Sequence, residues 1–382
     1  SATGQLGTPK TVADGNGNVT TLGNWKRGIP RLIRYPATPE ATGGATQLVE
    51  VNDSGWITWI TDEVGSRTCY THDSMGRLTR ITRTSEAAAN TCNTSTWAAT
   101  SISFAKSAGA KYGLPAGHWQ QTVANGAARQ ITYLDALWRP VVSESFDSTS
   151  SATTSATRSV TVTRYDPANR PVFKSYAMAS LSNYAASTLQ GTFTTYDALG
   201  RVVQVKQDWE GTGQLTTTTA YLRNAEGPYN QLTNPRGRIT RTWYRAFNEP
   251  SYDTPWRIQH DNGYAYTDLN RNIHDKLTSL VRRKGDGTYS LTRSYSYNAF
   301  QELCRAVEPE TGATLMGYDG AGNLTWSASG LPASTACHAT GNTTVINARK
   351  AVRSYDARNR LKTLTFPGDG LGNQTWTYWP DG

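Results

Sequence analysis

The sequence predicts an all-β chain built as a long sheet of antiparallel β-hairpins. Three observations carry this. A short phrase recurs with variations: HDSMGR at 72–77, LDALWR at 134–139, YDPANR at 165–170, YDALGR at 196–201, YDGAGN at 318–323 and YDARNR at 355–360. The residues after it alternate, as in Leu78-Thr79-Arg80-Ile81-Thr82-Arg83 and Val202-Val203-Gln204-Val205-Lys206-Gln207, which is the period of a half-buried strand. Composition agrees: apolar residues are 37% and charged residues only 18%, with Thr, Ser, Gly and Tyr abundant, material for strands and turns. No long stretch of 3.6-residue period is visible, so very little helix is expected.

Each position of the phrase has a local task. An aromatic residue closes the alternating segment: Tyr165, Tyr196, Tyr318 and Tyr355, with His72 in the same place. These side chains are expected to stack along one face of the sheet. Asp follows at Asp73, Asp135, Asp166, Asp197, Asp319 and Asp356. Asp at the first turn position accepts bonds from backbone N–H groups two residues on. Gly or Asn tolerates a left-handed backbone just after a type I turn. Gly76, Gly200 and Gly322 fill that place, completing a short hairpin connection. Arg comes next at Arg77, Arg139, Arg170, Arg201, Arg238 and Arg360, and is expected to start the return strand.

Weaker copies lie at 14–18, 62–65, 234–238, 244–248 and 297–300. The Asp positions cluster near multiples of ten, with 31 residues from Asp135 to Asp166 and again from Asp166 to Asp197. One unit copied many times makes residues 1–382 one continuous repeat domain. Tyr378-Trp379-Pro380-Asp381-Gly382 reads as the opening half of a further copy, as expected of a piece of a longer chain. Stretches near 84–101, 147–159, 179–190 and 328–348 are richer in Ala, Ser, Thr and Asn. They are expected to be longer loops at the sheet rims, and 105–119 is irregular as well.

The net charge is +9 and the pI about 9.3. The charge is spread at the repeat period and not clustered, so no specific nucleic-acid partner is expected. Arg282-Arg283-Lys284, the nearest thing to a patch, precedes a GDG turn at 285–287 and reads as the end of a hairpin. There is no apolar run of about 18 residues, so no membrane span is expected. The start, SATGQLGTPK, lacks the charged and apolar regions of a signal peptide. Cys69 and Cys304 each stand near a repeat copy, while Cys92 and Cys337 lie in the inserts that follow. This parallel placement suggests pairs 69–92 and 304–337. Four cysteines allow three connectivities, among which the sequence does not choose. Disulfides would imply an oxidising compartment; the alternative is four free thiols.

Chemistry-bearing patterns are sparse. DGNGN at 14–18 resembles the opening of a calcium loop, but Val19 stands where the sixth-position glycine belongs and Trp25 where the final acid belongs. His72, His118, His260, His274 and His338 stand apart, with no partner at metal-ligand spacing. There is no GxSxG, no CxxC and no glycine-rich phosphate loop. The recurring carboxylates have a full turn explanation. No catalytic residue, cofactor site or metal site is therefore expected. Trp56, Trp59, Trp243, Trp256, Trp376 and Trp379 lie off the register and are the candidates for a wall that binds sugar or polypeptide.

The YDxxGR phrase, together with EPETGATLMGYDGAGNLTWS at 308–327, resembles the RHS/YD-repeat family. That family includes bacterial polymorphic toxins, shell components of insecticidal toxin complexes and the YD shell of animal teneurins. The resemblance covers roughly residues 12 to 382. It implies a spiralling sheet of hairpins that forms a hollow shell, or a curved segment of one. It also implies a secreted or cell-surface protein whose partners are an enclosed toxin or effector polypeptide, or neighbouring repeats. A glycan partner, in an adhesion module, is the alternative that the teneurin resemblance allows. The family's DPxGL motif, linked to self-cleavage, is absent here, since Asp166-Pro167 continues as Ala168-Asn169-Arg170. Self-cleavage is not carried over.

Overall fold

The computed structural model describes residues 7–85, 88, 90–94, 97–245, 252–337, 344–368 and 370–382. Its strands belong to a 28-stranded antiparallel sheet. Most follow a meander in which each strand pairs with the next along the chain. Arg67–His72 pairs with Leu78–Arg83, Thr100–Lys106 with Trp119–Asn125, and Ala128–Leu134 with Pro140–Asp147. Alternating side chains and short turns leave each strand only its sequence neighbours as partners. At most of the repeat turns the ladder slips, though not at 14–18, 62–66 or 234–238. Thr71 faces Arg80 but His72 faces Leu78, and Thr195 faces Gln204 but Tyr196 faces Val202. The extra residue is a β-bulge, which follows from a three-residue connection ending in the left-handed conformation.

The chain divides into two compact units. One comprises Trp25–Arg31 and Gln47–Thr219. Its core is Tyr112, Leu114, Tyr133, Val141, Val142, Val160, Val162 and Phe173. The irregular segment at 105–119 contributes here, because Tyr112 and Leu114 fold down onto the sheet. A buried carboxylate fixes them. Glu144, with no exposed surface, accepts from Lys111 Nζ and the Tyr133 hydroxyl, both at 2.8 Å, and pairs with Arg158 at 3.1 Å. Burial works to raise the Glu144 carboxyl. The bonds from Lys111 and Tyr133 outweigh it and hold the group below the usual carboxylate range. Burial also pushes the Tyr112 and Tyr133 hydroxyls up.

The other unit comprises Ser1–Asn24, Leu32–Thr46 and Ala220–Gly382. A small core of Ala313, Leu315, Ala328, Leu331 and Ile346 lies within it. Its first hairpin, Thr11–Ala13 with Val19–Gly23, is held against turns from the far end of the sequence. Asn16 Nδ2 donates to Asp319 Oδ2 at 3.0 Å, Asn323 Nδ2 to Asn359 Oδ1 at 2.8 Å, and Asn359 Nδ2 to Asp14 Oδ2 at 3.1 Å. The chain of bonds needs two backbones in contact. A Cβ on Gly15 would overlap the Gly320 carbonyl, and one on Gly320 would overlap the carbonyl of Gly15.

Two of the inserts differ from the expected loops. Residues 147–159 contain the helix Ser151–Thr157, capped by Ser150 Oγ, which accepts from the Thr153 N–H at 3.0 Å. Its Ser, Thr and Ala composition conceals the helix, since it buries no apolar stripe. Within 328–348 the strand Leu324–Leu331 continues through the first four residues, and Thr344–Asn347 is helical with Ile346 buried. The insert 179–190 is an irregular loop. Cys69 is bonded to Cys92 and Cys304 to Cys337, with Cα atoms 6.2 and 5.5 Å apart. Each bond ties an insert to a strand.

The Gly15–Gly320 contact predicts that Gly15→Ala loosens the first hairpin. The expected loss is about 1–3 kcal/mol, the scale of overpacking, with hydrogen-exchange protection lost over 11–23 and retained in the unit containing 47–219. Unchanged protection over 11–23 would show that the contact does not hold the hairpin.

Candidate functional site

The repeated turn is the dominant constellation, and it is built from one acceptor. In the turn at 73–77, Asp73 Oδ1 accepts from the N–H groups of Met75 at 2.9 Å and Arg77 at 3.0 Å, and Oδ2 accepts from Arg77 Nε at 2.7 Å. The backbone closes in step: Asp73 N–H donates to the Arg77 carbonyl, and Gly76 N–H to the Asp73 carbonyl. Asp135 with Arg139, Asp166 with Arg170, Asp197 with Arg201 and Asp356 with Arg360 repeat the geometry, their Nε–Oδ2 distances all 2.7 or 2.8 Å. At Asp319 the partner is Asn323, whose Nδ2 takes the place of the guanidinium at 3.0 Å.

The same closure occurs at Asp14, Asp62, Asn234 and Asn298, and at two places the sequence reading missed, Asn52 and Asn272. An asparagine keeps the Oδ1 acceptor, so it makes the turn without the charge. The residue before the closing position always has positive φ. It is glycine at Gly76, Gly200 and Gly322, but also Asn169, Asn359, Asp275, Gln301 and Trp138. DGNGN is thus a repeat turn. The copy at 244–248 falls partly outside the described residues.

Arg and Tyr have roles that differ from those expected. Arg does not start the return strand: strands begin one residue later, at Leu78, Pro140, Pro171, Val202 and Leu361. Arg closes its own turn and then reaches the next. Arg139 Nη1 donates to the Asp166 carbonyl at 3.3 Å, and Arg170 Nη1 to the Asp197 carbonyl at 3.2 Å. The guanidiniums of Arg139 and Arg170 lie 5.0 and 4.8 Å from the ring centres of Tyr165 and Tyr196, within cation–π range.

Each tyrosine donates back across the gap. Tyr165, Tyr196, Tyr318 and Tyr355 bond the carbonyls of Pro140, Pro171, Leu303 and Leu324 at 2.9–3.0 Å. Tyr297 and Tyr378 do the same with Leu277 and Leu361. The tyrosines are hydrogen-bonded bridges between hairpins, not only packing.

The remaining candidates are mostly occupied. His72 lies 5.6 Å from Trp56. His118 is buried with Nδ1 2.7 Å from the Pro115 carbonyl. His260 Nε2 meets Thr267 Oγ1 at 3.0 Å, and the His274 N–H serves a turn. His338 lies outside the described residues. Among those residues no group of three or more His, Cys, Asp or Glu converges as a metal site. Arg283 pairs with Asp268 and Lys284 with Asp286. Trp243 is buried against Tyr229, Arg67 lies 3.9 Å over Trp59, and Arg257 lies over Trp256. Trp379 is exposed.

One stacked aromatic group was not singled out by the sequence reading. Phe104, Trp119 and Trp138 stack with centroids 4.8–5.3 Å apart. Phe104 and Trp138 line a groove of about 780 Å³. Phe104 is followed by no Asp, so nothing marked it as a repeat aromatic.

Two predictions follow from the turn geometry. Hydrogen bonding from Arg77 holds the Asp73 carboxyl below its ordinary value of 3.8, and the backbone N–H groups of Arg170 and Arg201 lead the same effect at Asp166 and Asp197. A carboxylate with a lowered folded pKa adds stability that is complete above the unfolded value and lost as pH falls through the folded one. The chain should therefore lose stability below pH 3.8. The triple replacement Asp73→Asn, Asp166→Asn, Asp197→Asn should flatten that loss in acid titrations followed by circular dichroism; an unaltered acid profile contradicts it. Separately, Tyr196→Phe removes one bridging bond and should cost about 0.5–1.5 kcal/mol in urea unfolding, whereas no measurable change would reduce Tyr196 to packing.

No protein-family model matches the chain, and no curated protein does. Solved structures do. The chain is similar to the crystal structure of TcdB2-TccC3-Cdc42, with a TM-score of 0.53 and 12% identity over 95% of this chain and 20% of that one. It is similar to TcdB2-TccC3 without its hypervariable C-terminal region, with a TM-score of 0.52 and 11% identity over 97% of this chain and 20% of that one. A Photorhabdus luminescens Tc holotoxin pore matches with a TM-score of 0.47 and 10% identity over 95% and 21%. The chain thus spans about a fifth of the solved chains it matches. The likeness to the first two establishes its fold, an all-β antiparallel sheet of the kind found in the TcdB2-TccC3 structures.

Proposed function

We propose that this chain is a wall segment of an RHS/YD-repeat shell from a toxin complex. It is non-catalytic, it works outside the producing cell or at its surface, and it encloses and protects a toxin or effector polypeptide. One observation supports this above the others. The side chains that recur through the chain are spent on joining each hairpin to the next: Asp closes the turn, Arg clasps the following turn, and Tyr bonds back to the preceding strand. Residues used this way extend a surface, and extension from repeat to repeat is how a sheet grows into an enclosure. The likeness to TcdB2-TccC3 over 95% of the chain and the two disulfides, which suit an oxidising compartment, support the same reading.

An adhesion or carbohydrate-binding role ranks below it. Of the tryptophans the sequence offers for a sugar platform, Trp243 is buried against Tyr229, and Trp59 and Trp256 are half-buried with Arg67 and Arg257 over their rings, leaving Trp379 exposed.

The test uses the full-length natural protein. Deleting the hairpins between Ser159 and Asp208 should expose the enclosed polypeptide to protease while the rest of the sheet stays folded. Protease resistance of that polypeptide unaffected by the deletion would rule the enclosure out.

A further inference from the structure

The tyrosine of the bridge is replaced at some places, and at one of them the replacement borders an open groove. Each bridging tyrosine follows a fixed register. From the last ladder pair, its acceptor lies two residues earlier on one strand and the tyrosine three residues later on the other. Val142 pairs with Val162, and Tyr165 bonds Pro140; Phe173 pairs with Phe193, and Tyr196 bonds Pro171; Trp326 pairs with Val352, and Tyr355 bonds Leu324. Between Leu78–Arg83 and Thr100–Lys106 the last pair is Arg80 with Ser101. The same register puts Phe104 in the tyrosine's place, against Leu78. The guanidinium confirms the equivalence: Arg77 lies 5.1 Å over the Phe104 ring, as Arg139 lies over Tyr165. Phenylalanine carries no hydroxyl, so the Leu78 carbonyl lacks the donor its counterparts have.

The groove of about 780 Å³ opens at this point, lined by Met75, Leu78, Ile102, Phe104, Gln121 and Trp138 among others. Both strands are paired on their outer sides, with Arg67–His72 and with Trp119–Asn125. Antiparallel strands turn alternate N–H and C=O groups to each side. The inward groups of Leu78–Thr79 and Ile102–Phe104 therefore face the groove, beyond the end of the ladder. Trp138 stands where most other copies carry Gly or Asn, with φ of +66°, a conformation that disfavours a bulky side chain. Trp138 is 54% exposed and Met75 is 74% exposed. Lys106, stacked on Trp119, enters no ion pair among the described residues.

We propose that this groove takes an extended polypeptide of acidic and aromatic composition. Its backbone lies between the two strands and donates an N–H to the Leu78 carbonyl. An aromatic or long apolar side chain packs against Phe104, Trp138 and Met75, and a carboxylate meets Lys106. A peptide supplies donors and acceptors at the strand's own spacing, which a sugar ring does not. The site stands apart from the enclosure reading, because it requires only these strands and the turn at 135–139. Peptide binding and protease protection can therefore fail separately.

The test titrates the chain with an unstructured peptide of mixed tyrosine and glutamate, following tryptophan fluorescence, beside a panel of oligosaccharides. Saturable binding of the peptide that weakens with salt is expected. Phe104→Tyr restores the bridging hydroxyl, and Trp138→Gly restores the repeat's glycine. Each should weaken binding roughly tenfold or more, as loss of an aromatic anchor or its acceptor does. Both variants return a position to the residue used in other copies, and circular dichroism checks that they fold. Phe104→Tyr should also raise the thermal midpoint. Wild-type affinity in both variants, no peptide binding, or a response to oligosaccharide alone would overturn the proposal.

Discussion

A single side-chain oxygen organises each repeat turn of this chain. Oδ1 of an Asp or Asn accepts two backbone N–H groups, from the second and fourth residues after it, and so fixes the connection through contacts local to the turn. Aspartate adds a second oxygen for the closing Arg, as at Asp166 with Arg170. Asparagine does without, as at Asn272. The acceptor carries enough of the turn that the fourth position tolerates residues other than glycine. Gln301, Asp275 and even Trp138 are held at positive φ there, each at a cost that the closed turn and its neighbours must offset.

From that turn the structure grows by nearest-neighbour contacts. Arg170 belongs to its own hairpin through Asp166 and to the next through the Asp197 carbonyl and the Tyr196 ring. Tyr196 returns a hydrogen bond to Pro171. This arrangement explains why inserts of unequal length are accepted. The bridge from Tyr318 spans 15 residues of sequence and that from Tyr355 spans 31, yet both end on the same kind of carbonyl. Loop length enters the stability only logarithmically, whereas the bridge is the same at each step.

This dependence also sets how much could be read from the sequence. The turns were legible because Asp, Gly and Arg lie within five residues of one another and their chemistry is local. Asn52 and Asn272 escaped because neither follows an aromatic residue nor precedes an Arg: Trp56 and Lys276 close those turns. The tyrosine bridges were not legible, since each acceptor lies across a gap whose length varies with the insert. Glu144 was invisible for a related reason. Its partners Lys111 and Arg158 come from irregular segments on either side of it, and only the fold brings them to one carboxylate. Phe104 shows the limit most plainly, because its place in the pattern is fixed by register and not by any residue beside it.

The repeats hold one another through the Asp–Arg–Tyr relay. Native-state hydrogen exchange on Asp166→Ala tests this most directly. Protection should be lost in the turn at 166–170 and in its two neighbours at 135–139 and 197–201, with the turn at 319–323 unchanged. Loss confined to 166–170 alone would contradict it.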